Sequence, residues 1–108
     1  MIIPSSLEEL AGYVENDSCV FFFTADWCGD CVYIKPVMPE IEAAFPNFKF
    51  IQVDRDAYID LCSDWAVFGI PSFIVTVNGK EQGRLVNKER KTKEDVVTFL
   101  TEVTDTLN

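Results

Sequence analysis

Apolar positions along the chain first recur with helical spacing. Leu7, Leu10, Ala11 and Val14 lie about one turn apart, which predicts an amphipathic helix. Ser6 stands just before them with Glu9 three residues on, the spacing of a capping box, and Asn16-Asp17 ends the pattern. From Cys19 to Thr24 the alternation disappears and both faces read as apolar, as in a strand covered on both sides. A second helix begins near Cys28 with the stripe Ile34, Val37, Met38, Ile41 and Phe45. Pro36 and Pro39 fall inside it and each removes an amide donor, so the pattern predicts a kink near Val32–Pro36 or a break and restart at Pro39. Phe48 to Val53 reads as a strand, Tyr58–Trp65 as a short helix and Ser72 to Val77 as a strand. Asn78-Gly79 then signals a tight hairpin into a partner strand from Lys80 to Val86. After the polar loop Asn87–Lys91, Thr92 and Asp95 have capping spacing, and Val96, Leu100, Val103 and Leu107 form the stripe of a last helix.

The resulting order, αβαβαββα, predicts an α/β fold with a mixed central sheet flanked by helices on both faces. Strands separated by helices favour parallel pairing, and the hairpin adds an antiparallel edge. The 108 residues suit one domain spanning 1–108, large enough to bury a core without disulfide staples.

Charge narrows the classes of partner. There are 18 acidic and 9 basic residues, a net charge of −9, and residues 1–79 hold only Lys35, Lys49 and Arg55 against 12 acids. Such a surface repels polyanions, so nucleic acid is not an expected partner. Asp26, Asp30, Asp54, Asp56, Asp60 and Asp64 fall in or near loops that follow strands, which predicts an acidic surround at that end of the sheet and a preference for basic partners. The longest strongly apolar run, Cys19 to Phe23, is far short of the roughly 20 residues that span a bilayer. The chain begins without a basic leader or long apolar stretch, so a soluble cytoplasmic protein is expected.

Chemistry concentrates on cysteine. Of Cys19, Cys28, Cys31 and Cys62, two stand three apart at the start of a helix, a spacing that reads as redox or metal chemistry in a cytosolic chain. There the first sulfur meets unpaired amides and the positive end of the helix dipole, both of which favour a thiolate. Cys28 is therefore the expected nucleophile. Cys31, one turn deeper, is the expected resolving thiol, acting at high effective concentration. The Asp30 carboxylate, in the same turn, is expected close to the Cys28 sulfur and opposes a second negative charge there. A closed zinc site would need two further ligands. The chain has no His, and Cys19 and Cys62 read as small core residues. No metal and no cofactor are expected.

The segment Trp27-Cys28-Gly29-Asp30-Cys31 resembles the active site of the thioredoxin family. So do the lead-in Phe23-Thr24-Ala25-Asp26-Trp27, Pro36 five residues after Cys31, the loop Gly69-Ile70-Pro71-Ser72, and the hairpin Asn78-Gly79-Lys80. In this order they cover nearly the whole chain. The resemblance implies a cis peptide bond at Pro71 beside the two sulfurs and backbone pairing of bound peptide by Ile70. It also implies an apolar docking surface at Trp27, and with Gly29 and Asp30 these residues make the expected substrate site. The implied activity is thiol–disulfide oxidoreduction: reduction of disulfide-bearing client proteins by a monomer that is itself reduced by a thioredoxin reductase. The chain departs from the family pattern in the loop after Asn87, which is longer, and at four residues. Phe22 stands where a buried Asp is usual, Gln52 where its Lys partner often lies, Asn87 where the substrate face has a Gly, and Asp30 where Pro is usual in the motif. Phe22 and Gln52 support a rival reading, a thioredoxin fold kept as a redox-inactive binding adaptor; the intact cysteine pair and the Ile70-Pro71 loop oppose it.

Overall fold

A computed structural model describes residues 1–107; Asn108, the last residue of the expected domain, lies outside the described residues. Helix α1 (Leu7–Asn16) leads into β1 (Ser18–Thr24), followed by α2 (Gly29–Ile34), a 3₁₀ turn at Lys35–Val37, and α3 (Met38–Ala44). Then come β2 (Lys49–Asp54), α4 (Ile59–Asp64), β3 (Ser72–Val77), β4 (Lys80–Leu85) and α5 (Lys93–Leu107). The expected long second helix is thus two helices. Pro36 sits within the 3₁₀ turn, and α3 restarts at Met38, with Pro39 in its first turn where a missing amide costs nothing.

The strands form one sheet in the order β2-β1-β3-β4. β1 runs parallel to β2 and antiparallel to β3, and β3 pairs antiparallel with β4. The antiparallel β1–β3 pair departs from the expectation that helix-separated strands run parallel. Helix α4 has only six residues, too few to carry the chain back along the sheet, so β3 enters at the end where β1 and β2 leave. Its first residue, Ser72, lies opposite Phe23. At the outer edge of β2, Ile2 makes a short parallel bridge to Ile51, with amide bonds of 2.8 Å to Phe50 and 2.7 Å from Gln52.

β1 is buried on both faces, which is why its pattern does not alternate. One face carries Val20 and Phe22, which pack with Phe73 and Val75 against Ile34, Met38 and Ile41 and against Val96, Leu100 and Val103 of α5. The other carries Cys19, Phe21 and Phe23, which pack with Ile74 against Leu10 of α1 and Cys62 of α4. Helices therefore cover both faces.

Local signals account for most element ends. Ser6 caps α1 by accepting the Glu9 amide at 3.1 Å, but the Glu9 carboxylate returns to the amide and hydroxyl of Ser5, not to Ser6. At α5 the box is reciprocal: the Asp95 amide donates to Thr92 Oγ1 at 3.1 Å and the Thr92 amide to Asp95 Oδ2 at 3.0 Å. Asn78 and Gly79 both take positive φ, at 48° and 85°, the pattern of a type I′ hairpin turn. Helix α4 ends on Ala66 at φ 56°, a left-handed C-terminal position that usually falls to glycine. Two stripes are narrower than expected: Leu7 and Ala11 of α1 and Leu107 of α5 are exposed.

Candidate functional site

β1 ends at Thr24, and the chain turns through Ala25-Asp26-Trp27 before α2 starts. The Cys28 amide donates to the Ala25 carbonyl at 3.2 Å, which sets Cys28 as the N-cap of α2 with an extended backbone. Its sulfur accepts the Cys31 amide at 3.2 Å, a capping role normally filled by an oxygen. The two sulfurs, both free thiols, therefore share the first turn. Cys28 keeps 7% of its surface exposed and Cys31 1%, so attack from solvent is open to Cys28 and closed to Cys31. Burial pushes the Cys31 thiol up to about 11, with the hydrogen bond to Cys28 adding to the rise; the Thr24 hydroxyl and the Ala25 backbone pull the other way.

Facing the pair, the Ile70–Pro71 bond is cis. Ile70 packs against Ala25, Cys28 and Cys31, and its carbonyl lies 3.9 Å from the Cys28 sulfur. The Ser72 hydroxyl bonds back to the Gly69 carbonyl and closes the loop. Gly69 is required there: a Cβ would sit 2.5 Å from the backbone carbonyl carbon and oxygen of Asn87. A cavity of about 370 Å³ opens beside Cys28 between Trp27, Gly29, Ile70 and Phe68. Trp27 is 63% exposed, yet its indole nitrogen donates to Asp56 at 2.7 Å and Arg55 lies over its ring. Gly29 leaves open space above the first turn. All seven expected site residues thus meet at one end of the sheet.

The acidic residues expected at this end are interleaved with cations. Of the six aspartates named from the sequence, only Asp30 lines the cavity, together with Arg55 and Lys88. Asp54 accepts the amides of Asp56 and Ala57, and Asp56 is taken up by Trp27 and Arg55. Asp30 itself pairs with Arg90 at 3.0 Å, and that guanidinium stacks over Tyr33 at 4.4 Å. The charge expected to oppose a Cys28 thiolate is therefore countered by a cation from the far side of the chain. Phe68, 70% exposed, and the basic residues of the Asn87–Lys91 loop were not legible as site residues, because no local pattern sends them to Cys28.

Phe22 is fully buried and stacks on Phe73 with ring centroids 5.1 Å apart. It is registered opposite Gln52, so neither this position of β1 nor its β2 neighbour carries a charge. Cys19 and Cys62 pack on the opposite face of the sheet from the cysteine pair. Burial pushes the thiol of Cys19 up to about 11 and raises that of Cys62.

The chain matches the Thioredoxin family over residues 4–102. It is 33% identical over 75 residues to thioredoxin H-type 1 of Nicotiana tabacum, covering 69% of this chain and 60% of that protein. To thioredoxin H-type of Picea mariana it is 37% identical over 78 residues, 72% of this chain and 62% of that one. These matches span about three fifths of the relatives' own length. Among solved structures, thioredoxin from Trypanosoma brucei brucei superposes with a TM-score of 0.84 at 28% identity, covering 97% of this chain and 91% of that one. With the cysteine pair at the head of α2, the cis-proline loop opposite it, and the match over residues 4–102, the chain belongs to the thioredoxin family.

Proposed function

We propose that the chain is a thiol–disulfide oxidoreductase that reduces disulfides of client proteins through Cys28 and Cys31. The observation that carries this reading is the Cys28 sulfur, capping α2 on the Cys31 amide at the mouth of a cavity with Cys31 buried one turn behind it. The Cys28 thiolate attacks one sulfur of a client disulfide. A mixed disulfide forms, and the other client sulfur leaves as a thiolate that takes a proton. Cys31 gives up its proton and attacks the Cys28 sulfur, which releases the second client thiolate. The client disulfide has then gained two electrons, and the Cys28–Cys31 pair has lost two to become a disulfide. Trp27 and Ile70 border the cavity as apolar walls, Pro71 holds the Ile70 backbone beside the sulfur, Gly29 leaves room for the client chain, and Asp30 shapes its charged rim.

A thioredoxin reductase returns the electrons in this reading, and the protein works as a cytoplasmic monomer without cofactor or nucleic acid. Among the described residues no helix is long and apolar enough to cross a membrane. The adaptor reading draws on Phe22 and on Gln52, which leave that register of β1 and β2 without a charged pair, but it gives no reason for two free thiols sharing a helix turn. Reduction of insulin with dithiothreitol as electron source tests the activity, and Cys31→Ser should trap clients as mixed disulfides on Cys28. A protein that neither accelerates insulin reduction nor forms such adducts is an adaptor.

A further inference from the structure

The cavity beside Cys28 has apolar walls and a basic rim. Trp27 and Phe68 are largely exposed, and with Ile70 they border the sulfur on an open face. Apart from the thiol, its ionisable lining is Asp30, Arg55 and Lys88. Asp30 is taken up by Arg90 at 3.0 Å. The cavity therefore carries an excess of positive charge on a chain whose net charge is −9, which points away from the basic partners expected from the total charge.

Backbone contacts hold both cations at the cavity. The Arg55 amide donates to the Thr24 carbonyl at 2.8 Å, which fixes this residue to the end of β1, and its guanidinium lies over the Trp27 ring, 5.6 Å from the centroid. Its contact with Asp56 is long, at 3.5 Å, and uses one nitrogen; the second Asp56 oxygen accepts the Trp27 indole at 2.7 Å. A guanidinium has five N–H donors, so Arg55 keeps donors for a ligand. Lys88 stands in the Asn87–Lys91 loop. The Lys91 ammonium donates to the Asn87 carbonyl at 2.9 Å, the Asn87 side-chain oxygen at 2.6 Å and the Glu89 carbonyl at 2.7 Å, which pins the loop on both sides of Lys88. A Cβ on Gly69 would sit 2.7 Å from the Lys88 nitrogen, so the Lys88 backbone abuts the segment that leads into Ile70. Lys88 is exposed, and no ion pair among the described residues involves it. Glu89, the next residue, lines a separate cavity toward α5.

We propose that Arg55 and Lys88 select client disulfides flanked by acidic residues: apolar side chains of the client lie against Trp27, Phe68 and Ile70 while its carboxylates pair with the two cations on the rim. This rests on the proposed oxidoreductase reading and names the substrate class of that site. The cations come from different loops, after β2 and after β4, so a peptide seated on Cys28 meets a positive charge from each. The acidic remainder of the surface opposes such a client from a distance. At physiological ionic strength, charges farther off than about 8 Å are largely screened, and the contacts on the rim decide.

The test uses three fluorogenic peptide disulfides of one sequence, with Glu, Gln or Lys on either side of the reactive cysteine, reduced by the full chain at about 0.15 M salt. The second-order rate constant should be about tenfold higher for the Glu peptide than for the Lys peptide, with Gln between them, on the scale of two exposed charge pairs. In Lys88→Glu the Glu-to-Lys ratio should fall by roughly threefold or more. Arg55→Gln, an independent variant, should also lower it, and Arg55→Lys, which keeps the charge, should retain most of it. A change that merely disturbs the site slows all three peptides alike and leaves the ratio where it was. Equal rates for the three peptides, a faster Lys peptide, or an unaltered ratio in folded Lys88→Glu and Arg55→Gln overturns the proposal while the oxidoreductase reading stands. A chain that reduces none of the three removes that reading and this proposal with it.

Discussion

Replacing Phe22 with Asp would test what an apolar residue on the Thr24 face of β1 costs the reaction. Phe22 lies in the middle of β1, on the same face as Thr24, whose hydroxyl meets the Cys31 sulfur. With the Cys31 thiol pushed up to about 11, only about one molecule in ten thousand carries the resolving thiolate at neutral pH. A carboxylate placed on that face can accept the proton as Cys31 attacks, and a positioned general base is worth roughly 10²–10⁴ in rate. The change also removes a fully buried ring stacked on Phe73. That loss costs about 3–5 kcal/mol, and burying an unpartnered polar group adds roughly 1–3 kcal/mol, with more for an ionised carboxylate. The sum is a large part of the ~5–15 kcal/mol that holds a domain together, so the appropriate control is Phe22→Asn, which makes the same cavity and carries no base. Each folded variant is loaded with a chromogenic thiol on Cys28, and release of that thiol by Cys31 is timed in a single turnover. Resolution should be about a hundredfold faster in Phe22→Asp than in Phe22→Asn. Equal rates in the two variants would falsify the idea that Cys31 lacks a proton acceptor.

Cys31 and Cys19 are pushed up to about 11 and Cys62 is raised, all by burial. The native state then holds protons that the unfolded chain releases near its ordinary thiol range, so stability of the reduced protein is intact below about pH 8.5 and falls as pH rises toward 11. Urea unfolding at a series of pH values checks this, and rising stability over that interval would contradict it. Gly69→Ala forces a Cβ to within 2.5 Å of the Asn87 backbone. It should cost about 1–3 kcal/mol and loosen the loop that carries Lys88, Arg90 and Lys91, read as a lower thermal midpoint and faster hydrogen exchange in residues 87–91. Ala66→Gly should stabilise the protein by roughly 1 kcal/mol, because Ala66 is held at φ 56°; a drop in midpoint would show that the methyl group makes contacts worth more than the strain.

Much of the molecule was legible in the chain because the deciding interactions are local. The I′ turn at Asn78-Gly79, the reciprocal cap of Thr92 and Asp95, the break around Pro36 and the sulfur cap of Cys28 on the Cys31 amide each depend on groups within four residues of one another. Backbone sterics and hydrogen-bond geometry act there whatever the rest of the fold does. The apolar run of β1 likewise marked a strand covered on both faces. What the sequence could not decide depends on where distant segments meet. β3 runs antiparallel to β1 because α4 is too short to return the chain. Asp30 faces Arg90, 60 residues away, instead of standing alone beside Cys28. Phe68 is exposed although apolar, and Lys91 is buried although charged, which reverses what residue type alone suggests. Burial and charge pairing follow from the neighbours that tertiary packing supplies, and the desolvation of a side chain is a property of that packing, not of the side chain.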